Sequence, residues 1–263
     1  MTKNLRVKSS EYIDETNRIS FKFNGKTYHG FKGDTLASAL LANNVHLVGR
    51  SFKYHRPRGI MTSGSEEPNA IVQINPVSKR TEPNVRATEV EIYEGLEASS
   101  QNCWPSVEFD IGGINNFLSP FFPAGFYYKT FMWPASFWEK YEFFIRHSAG
   151  LGKSPTSSDP DIYDHRNIHC DVLVVGAGIS GILAAKNAAK NNFKTLLVEE
   201  KNELGGSTIY ENNEFNKIDN KAPSEWLKKE IEELKGIKNL EIKTRTSVAA
   251  YHQYTHWILF LNF

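Results

Sequence analysis

The sequence has 263 residues, room for one large domain or two ordinary ones, with 40% hydrophobic and 23% charged residues as in globular proteins that live in water. Thirty-one basic and thirty acidic side chains leave a formal net charge of +1, which excludes a general field for nucleic acid or an anionic membrane. Two cysteines, Cys103 and Cys170, are too few and too far apart for a disulfide framework or a cysteine-ligated metal centre, and they point to a reducing, cytoplasmic compartment.

Met1 to Ser10 carries Lys3, Arg6 and Lys8 but no apolar core, which is not the pattern of a secretory signal. Ile19 to Phe23 alternates apolar and polar residues, Asn24-Gly25 is a two-residue turn signal, and Lys26 to Phe31 returns as a second strand. Asp34 is the expected cap of a helix through Leu36, Ala39 and Leu40 that ends near Asn43-Asn44, and further strands are expected at Ala70–Ile74 and Glu89–Tyr93. Hairpin, helix and later strands are the order of a small β-grasp domain over residues 15–97.

Residues 98–169 form an aromatic-rich segment, in which Trp104, Phe109, Phe117, Phe121, Phe122, Phe126, Tyr127, Tyr128, Phe131, Trp133, Phe137, Trp138, Tyr141, Phe143 and Phe144 crowd together. The uncharged run Ile111–Tyr128 contains Gly112-Gly113, Asn115-Asn116, Pro120 and Pro123, which rules out a membrane-spanning helix there. Helical spacing is visible from Ser136 to Arg146, and Pro120, Pro123 and Pro134 divide the rest. The segment reads as a linker packing its rings between two domains, or as an anchor for another subunit, because aromatics concentrate at interface cores. Gly150 to Pro160 reads as a surface connection.

From residue 170 to 263 the pattern is strand, helix, strand: Asp171–Val175, Gly181–Asn191 and Thr195–Val198. A helix with Ser224 as its expected cap and Trp226, Leu227, Ile231 and Leu234 on its apolar side follows, then a strand at Leu240–Thr244. The stretch from Ser247 ends in Trp257-Ile-Leu-Phe-Leu-Asn-Phe263, expected as an apolar edge strand. Between the first strand and helix lies Gly176-Ala177-Gly178-Ile179-Ser180-Gly181, a GxGxxG in the context that gives it meaning. Gly176 allows the tight turn, Gly178 lets a pyrophosphate approach the backbone, and Gly181 lets the helix pack close to the strand. The helix N-terminus turns free N–H groups toward phosphate charge. Glu199 ends the second strand, at the spacing where a carboxylate accepts hydrogen bonds from the adenosine ribose and disfavours a 2′-phosphate. Asn192 stands where a glycine is usual before that strand, and it tolerates the left-handed region. Glu200-Lys201 and the pair Gly205-Gly206 continue the site.

Other constellations are weaker. His165 and His169 lack a third metal ligand, the basic and aromatic cluster Arg50–Arg58 has no accompanying basic stripe for nucleic acid, and no catalytic acid, base or nucleophile declares itself.

At Arg50-Ser-Phe-Lys-Tyr-His-Arg-Pro-Arg-Gly59, Glu67-Pro-Asn-Ala70, Ser119–Pro134 and Cys170–Gly178 the sequence resembles the alpha subunits of heterotetrameric sarcosine oxidases, in register from about Asn17 to Thr246. The resemblance implies an α+β, ferredoxin-like β-grasp domain followed by an α/β, Rossmann-like FAD/NAD(P)-binding domain, here expected to be incomplete, as in a truncated N-terminal portion. It implies NAD, held by Gly176, Ala177, Gly178, Ile179, Ser180, Gly181, Glu199, Glu200, Lys201 and Gly206. It also implies oxidative demethylation of sarcosine with tetrahydrofolate as one-carbon acceptor, beta, gamma and delta-type partner subunits, and a chain inactive alone. Relatives with a cluster carry cysteines where this chain has Ile60–Pro68, so no iron–sulfur cluster is expected. Two alternatives stand beside this reading: an FAD-binding subunit of a related amine or amino-acid dehydrogenase, and a non-catalytic assembly module.

Overall fold

The computed structural model describes residues 5–6, 13–75, 81–121, 125, 133–148, 150–160, 162–210, 216–253 and 256–261. Of the aromatic segment, Phe122, Phe126, Tyr127, Tyr128 and Phe131 lie outside the described residues, as does the side chain of Phe144. The chain divides into two compact units, Met1–Ile162 and Tyr163–Phe263.

In the first unit, β1 (Asp14–Phe23) and β2 (Lys26–Lys32) form the expected hairpin. Asn24 and Gly25 have φ of 50° and 75°, the left-handed pair that a two-residue turn between right-twisted strands requires. Helix α1 (Leu36–Ala42) is capped by Thr35, whose hydroxyl accepts the N–H of Ser38 at 3.1 Å. Asp34, the expected cap, is buried instead: it pairs with the Arg6 guanidinium and accepts the Phe31 N–H at 2.9 Å and the Ser38 hydroxyl at 2.7 Å.

A small ladder joins β3 (Gly49–Arg50) to β4 (Pro57–Arg58). Then β5 (Ile71–Ile74), β6 (Glu82–Arg86) and β7 (Glu97–Ser100) complete a sheet of order β2-β1-β7-β5-β6, in which β1 and β7 run parallel. The expected strand at Glu89–Tyr93 does not form; Glu91 makes a single bridge to Thr35. Phe21, Phe23, Leu36, Leu40, Val72 and Leu96 fill the core under α1, each worth about 1.5–3 kcal/mol of burial.

The loop between β4 and β5 wraps around Glu67, which is 1% exposed. Its Oε2 accepts the N–H groups of Met61 at 2.7 Å and Thr62 at 2.6 Å; its Oε1 accepts those of Asn69 at 2.8 Å and Ala70 at 3.1 Å. Beyond β7, Arg50 donates to the carbonyl of Val107 at 2.8 and 2.6 Å, and His55 Nδ1 lies 2.6 Å from Asp110, pinning the start of the aromatic segment. That segment forms short turns, α2 (Ile114–Phe117) and α3 (Trp138–Ser148). Trp104, Phe117, Phe121 and Trp133 are each more than two-thirds exposed.

In the second unit, β8 (Val172–Val175), α4 (Ile179–Lys190), β9 (Thr195–Val198), α5 (Pro223–Lys235) and β10 (Leu240–Lys243) alternate, and the strands form a parallel sheet of order β10-β9-β8. Alanines at 185 and 189 and Ile182 give α4 its apolar face, packed with Leu197, Trp226, Leu227 and Leu234. Helix α5 starts one residue before the expected cap, with Ala222 capping and Pro223 in the first turn, where a missing N–H costs nothing. Lys186 of α4 is pinned between Glu230 and Glu233 of α5. The apolar tail is a hairpin of β11 (Thr246–His252) and β12 (His256–Leu261) rather than a lone edge strand, so each strand satisfies the other's backbone. No helix among the described residues is long and apolar enough to cross a membrane.

Candidate functional site

The three glycines of the first turn divide their tasks by geometry. Gly176 has φ of 88°, a conformation that side-chain-bearing residues rarely adopt, and its N–H donates to Val198 at 2.8 Å, closing β8 onto β9. A Cβ on Gly181 would stand 1.9 Å from the carbonyl oxygen of Gly176, so glycine is required for α4 to sit this close. A Cβ on Gly178 would meet nothing within 4 Å. Gly178 thus faces open space, and it precedes α4 without any side-chain cap, leaving the amides of Ile179, Ser180 and Gly181 at the helix start to an outside acceptor.

Glu199, at the end of β9, is 6% exposed. Its Oε2 accepts the Ala177 N–H at 2.6 Å and its Oε1 the Lys201 N–H at 3.0 Å. A carboxylate offers about four acceptor positions, so two remain. Ala177 is fully buried, and its carbonyl accepts the N–H of Gly205 at 2.8 Å. The backbone groups of Ala177 are thereby committed on both sides, which gives it the task of holding the turn from behind. Gly206 lies against Gly178: a Cβ there would stand 3.1 Å from the Gly178 Cα. The two glycine turns are therefore packed together, and Gly206 backs Gly178. Glu200 is exposed and Lys201 half-buried at the rim. Asn192 has φ of 67°, the left-handed conformation expected of it.

The structure adds Tyr210, whose hydroxyl meets the Lys201 ammonium at 3.0 Å, and Arg245, whose N–H donates to the Lys201 carbonyl at 2.9 Å. No spacing in the sequence announces either. The Thr208 hydroxyl is buried without a hydrogen-bond partner among the described residues. A cavity of about 180 Å³ lined by His169, Cys170, Lys194 and Glu241 opens at the other, N-terminal ends of the strands. Ligands of open parallel sheets bind at the carboxyl ends, so this cavity is set apart from the glycine turn.

Comparison with known proteins bears on both units. Residues 16–103 match a family described as a 2Fe-2S iron-sulfur cluster binding domain, and residues 171–236 match FAD dependent oxidoreductases. The first match corrects the expectation of a domain without an iron–sulfur cluster. That expectation equated the domain's chemistry with cysteines in the single stretch Ile60–Pro68, whereas the match is carried by the whole span. Cys103 is the one cysteine within it, and burial, then the charge of Asp110, push its thiol above the ordinary value.

L-proline dehydrogenase from P. horikoshii shares the fold, with a TM-score of 0.54 and 17% identity over 92% of this chain and 36% of its own. Sarcosine oxidase subunit alpha of Corynebacterium sp. (strain U-96) is 30% identical over 90% of the chain and 20% of its own length. The corresponding subunit of Rhizobium meliloti (strain 1021) is 50% identical over 94% of the chain, which spans 25% of that relative. The ferredoxin-type match, the FAD-oxidoreductase-type match and identity running across both make the chain similar to the sarcosine oxidase alpha subunits over the fifth to a quarter of their length that it spans.

Proposed function

We propose that the second unit binds an unphosphorylated adenine dinucleotide, NAD, within an oxidoreductase of the sarcosine oxidase type that acts on CH–NH groups. The observation that carries this reading is the meeting of the open face of Gly178, the uncapped start of α4 and the half-used carboxylate of Glu199 at the carboxyl ends of β8 and β9. Gly176, Gly178, Ile179, Ser180 and Gly181 would cradle the pyrophosphate, Glu199 would accept the adenosine ribose hydroxyls, and Glu200 and Lys201 would form the rim, with Ala177 and Gly206 behind the turn. When bound, NAD supplies a two-electron hydride acceptor. FAD is the second reading, favoured by the match of residues 171–236 to FAD dependent oxidoreductases.

The reading extends to domains at 15–97 and 170–263 with the aromatic segment 98–169 as an interface. It extends also to a cytoplasmic complex with beta, gamma and delta-type subunits that demethylates sarcosine onto tetrahydrofolate, the chain being inactive alone. It is supported by the alpha-subunit relatives and by the exposed rings of Trp104, Phe117, Phe121 and Trp133, which suit a surface meant to be covered. Calorimetric titration of the purified chain with NAD+, NADP+ and FAD tests the site. Binding of NAD+ in preference to NADP+ is expected. A yellow chromophore retained on purification selects FAD, and preference for NADP+ overturns the assignment.

A further inference from the structure

Lys201 begins two residues beyond Glu199, and its peptide is pinned on both sides, donating its N–H to Glu199 at 3.0 Å and accepting the Arg245 N–H at 2.9 Å. Its backbone is thus fixed beside the carboxylate assigned to the ribose. Its side chain is fixed as well, because the ammonium donates to the Tyr210 hydroxyl at 3.0 Å and stands 5.1 Å from the ring centroid. Tyr210 lies just past the Gly205-Gly206 turn, at the end of the short helical turn Gly206–Ile209, and its N–H donates to Ser207 at 2.9 Å. The tether therefore leads the lysine from the ribose carboxylate toward the second glycine turn.

A lysine on this spot has two possible effects on specificity. Its compact charge on a flexible four-carbon stem, if released, could swing to the ribose 2′ position, where a cation stabilises a 2′-phosphate and works against the acid beside it. Held on Tyr210, it leaves Glu199 as the charge that the 2′ position meets. We propose that Tyr210 is a specificity-determining positioning residue, which restrains Lys201 so that the site discriminates against 2′-phosphorylated dinucleotides. Glu200 and Arg245, both exposed, also carry charge at this rim. The inference rests on the dinucleotide reading of the site.

The experiment titrates the full chain, Tyr210→Phe and the double variant Tyr210→Phe/Lys201→Gln with NAD+, NADP+ and FAD, with thermal unfolding of each as a control. Tyr210→Phe keeps the ring and removes the acceptor; it is expected to raise the NADP+ to NAD+ affinity ratio about fivefold, the effect of one partly exposed ion pair. The double variant is expected to return the ratio to that of the parent chain. An unchanged ratio in Tyr210→Phe, or equal loss of both affinities with a lower unfolding midpoint, overturns the proposal. If the parent chain binds FAD and neither nicotinamide dinucleotide, the proposal fails while the dinucleotide reading stands. If it binds none of the three, the reading itself fails and takes the proposal with it.

Discussion

Glu67 and Glu199 are both buried carboxylates that gather backbone N–H groups, one in each unit, and they differ in what is left over. Glu67 receives four amides and the Thr62 hydroxyl at 3.3 Å, so its acceptor capacity is full. Glu199 receives two amides and keeps half of its capacity. A saturated buried anion serves the loop around it. One with acceptors to spare beside an uncapped helix and a glycine with open space can serve a ligand as well. Filled acceptors make Glu67 a structural device, and spare ones leave Glu199 open to a ligand.

The contrast is broken most forcefully at Glu67. Glu67→Ala would orphan the amides of Met61, Thr62, Asn69 and Ala70, and it is expected to destabilise the first unit by about 4 kcal/mol, leaving dinucleotide affinity unchanged. Denaturant unfolding followed in each unit by hydrogen exchange measures this, and a loss under about 1 kcal/mol would contradict the saturated-nest account. Glu199→Ala should cost about 1.5–3 kcal/mol of NAD+ binding, read by calorimetry, together with a smaller loss of stability from the freed Ala177 and Lys201 amides.

The glycines sharpen the comparison within the site. Gly178→Ala places its Cβ in open space at φ of −69°, so stability should hold within about 0.5 kcal/mol while dinucleotide affinity falls. Gly181→Ala drives a Cβ against the Gly176 carbonyl and should cost about 1–3 kcal/mol of stability. If both variants lose stability equally, Gly178 is another packing glycine and the site reading weakens.

The gentlest test is pH. Burial pushes the Glu67 carboxyl up, but the N–H groups of Thr62, Asn69, Met61 and Ala70 together outweigh it and hold it below the ordinary 4.5. Its contribution to stability is therefore complete above pH 4.5 and fades as pH falls through the lower folded value. Hydrogen bonds to Glu230 and then Glu233 hold Lys186 above the ordinary 10.5, so its contribution is complete below pH 10.5 and fades as pH rises through the higher folded value. The first unit should thus lose protection first in acid and the second in alkali, as exchange followed unit by unit would report.

What was legible in the sequence was local. Asn24-Gly25 announced a hairpin because its turn demands two left-handed residues, and Gly176–Gly181 announced a strand-to-helix turn because each glycine has a steric duty. Long-range pairings were hidden. Asp34 looks like a helix cap, yet Arg6, far upstream, claims it. The strand Glu82–Arg86 contains Pro83 and a left-handed Asn84, and Glu97–Ser100 has little strand propensity, so neighbours rather than composition make them strands. At the site, the chosen residues lie together around the turn, but that Glu199 reaches the Ala177 amide, and that Tyr210 reaches Lys201, is visible only once the chain is folded.

The doubly held peptide of Ala177 bears on the cost of association. With its N–H on Glu199 and its carbonyl receiving Gly205, the first glycine turn cannot open without breaking both bonds, and Gly206 closes behind it. A dinucleotide bound as proposed would therefore meet a preorganised turn, ordering little backbone and surrendering little of its contact energy to chain entropy. Affinity in such a site is governed by how long the ligand stays rather than by a slow folding of the loop around it.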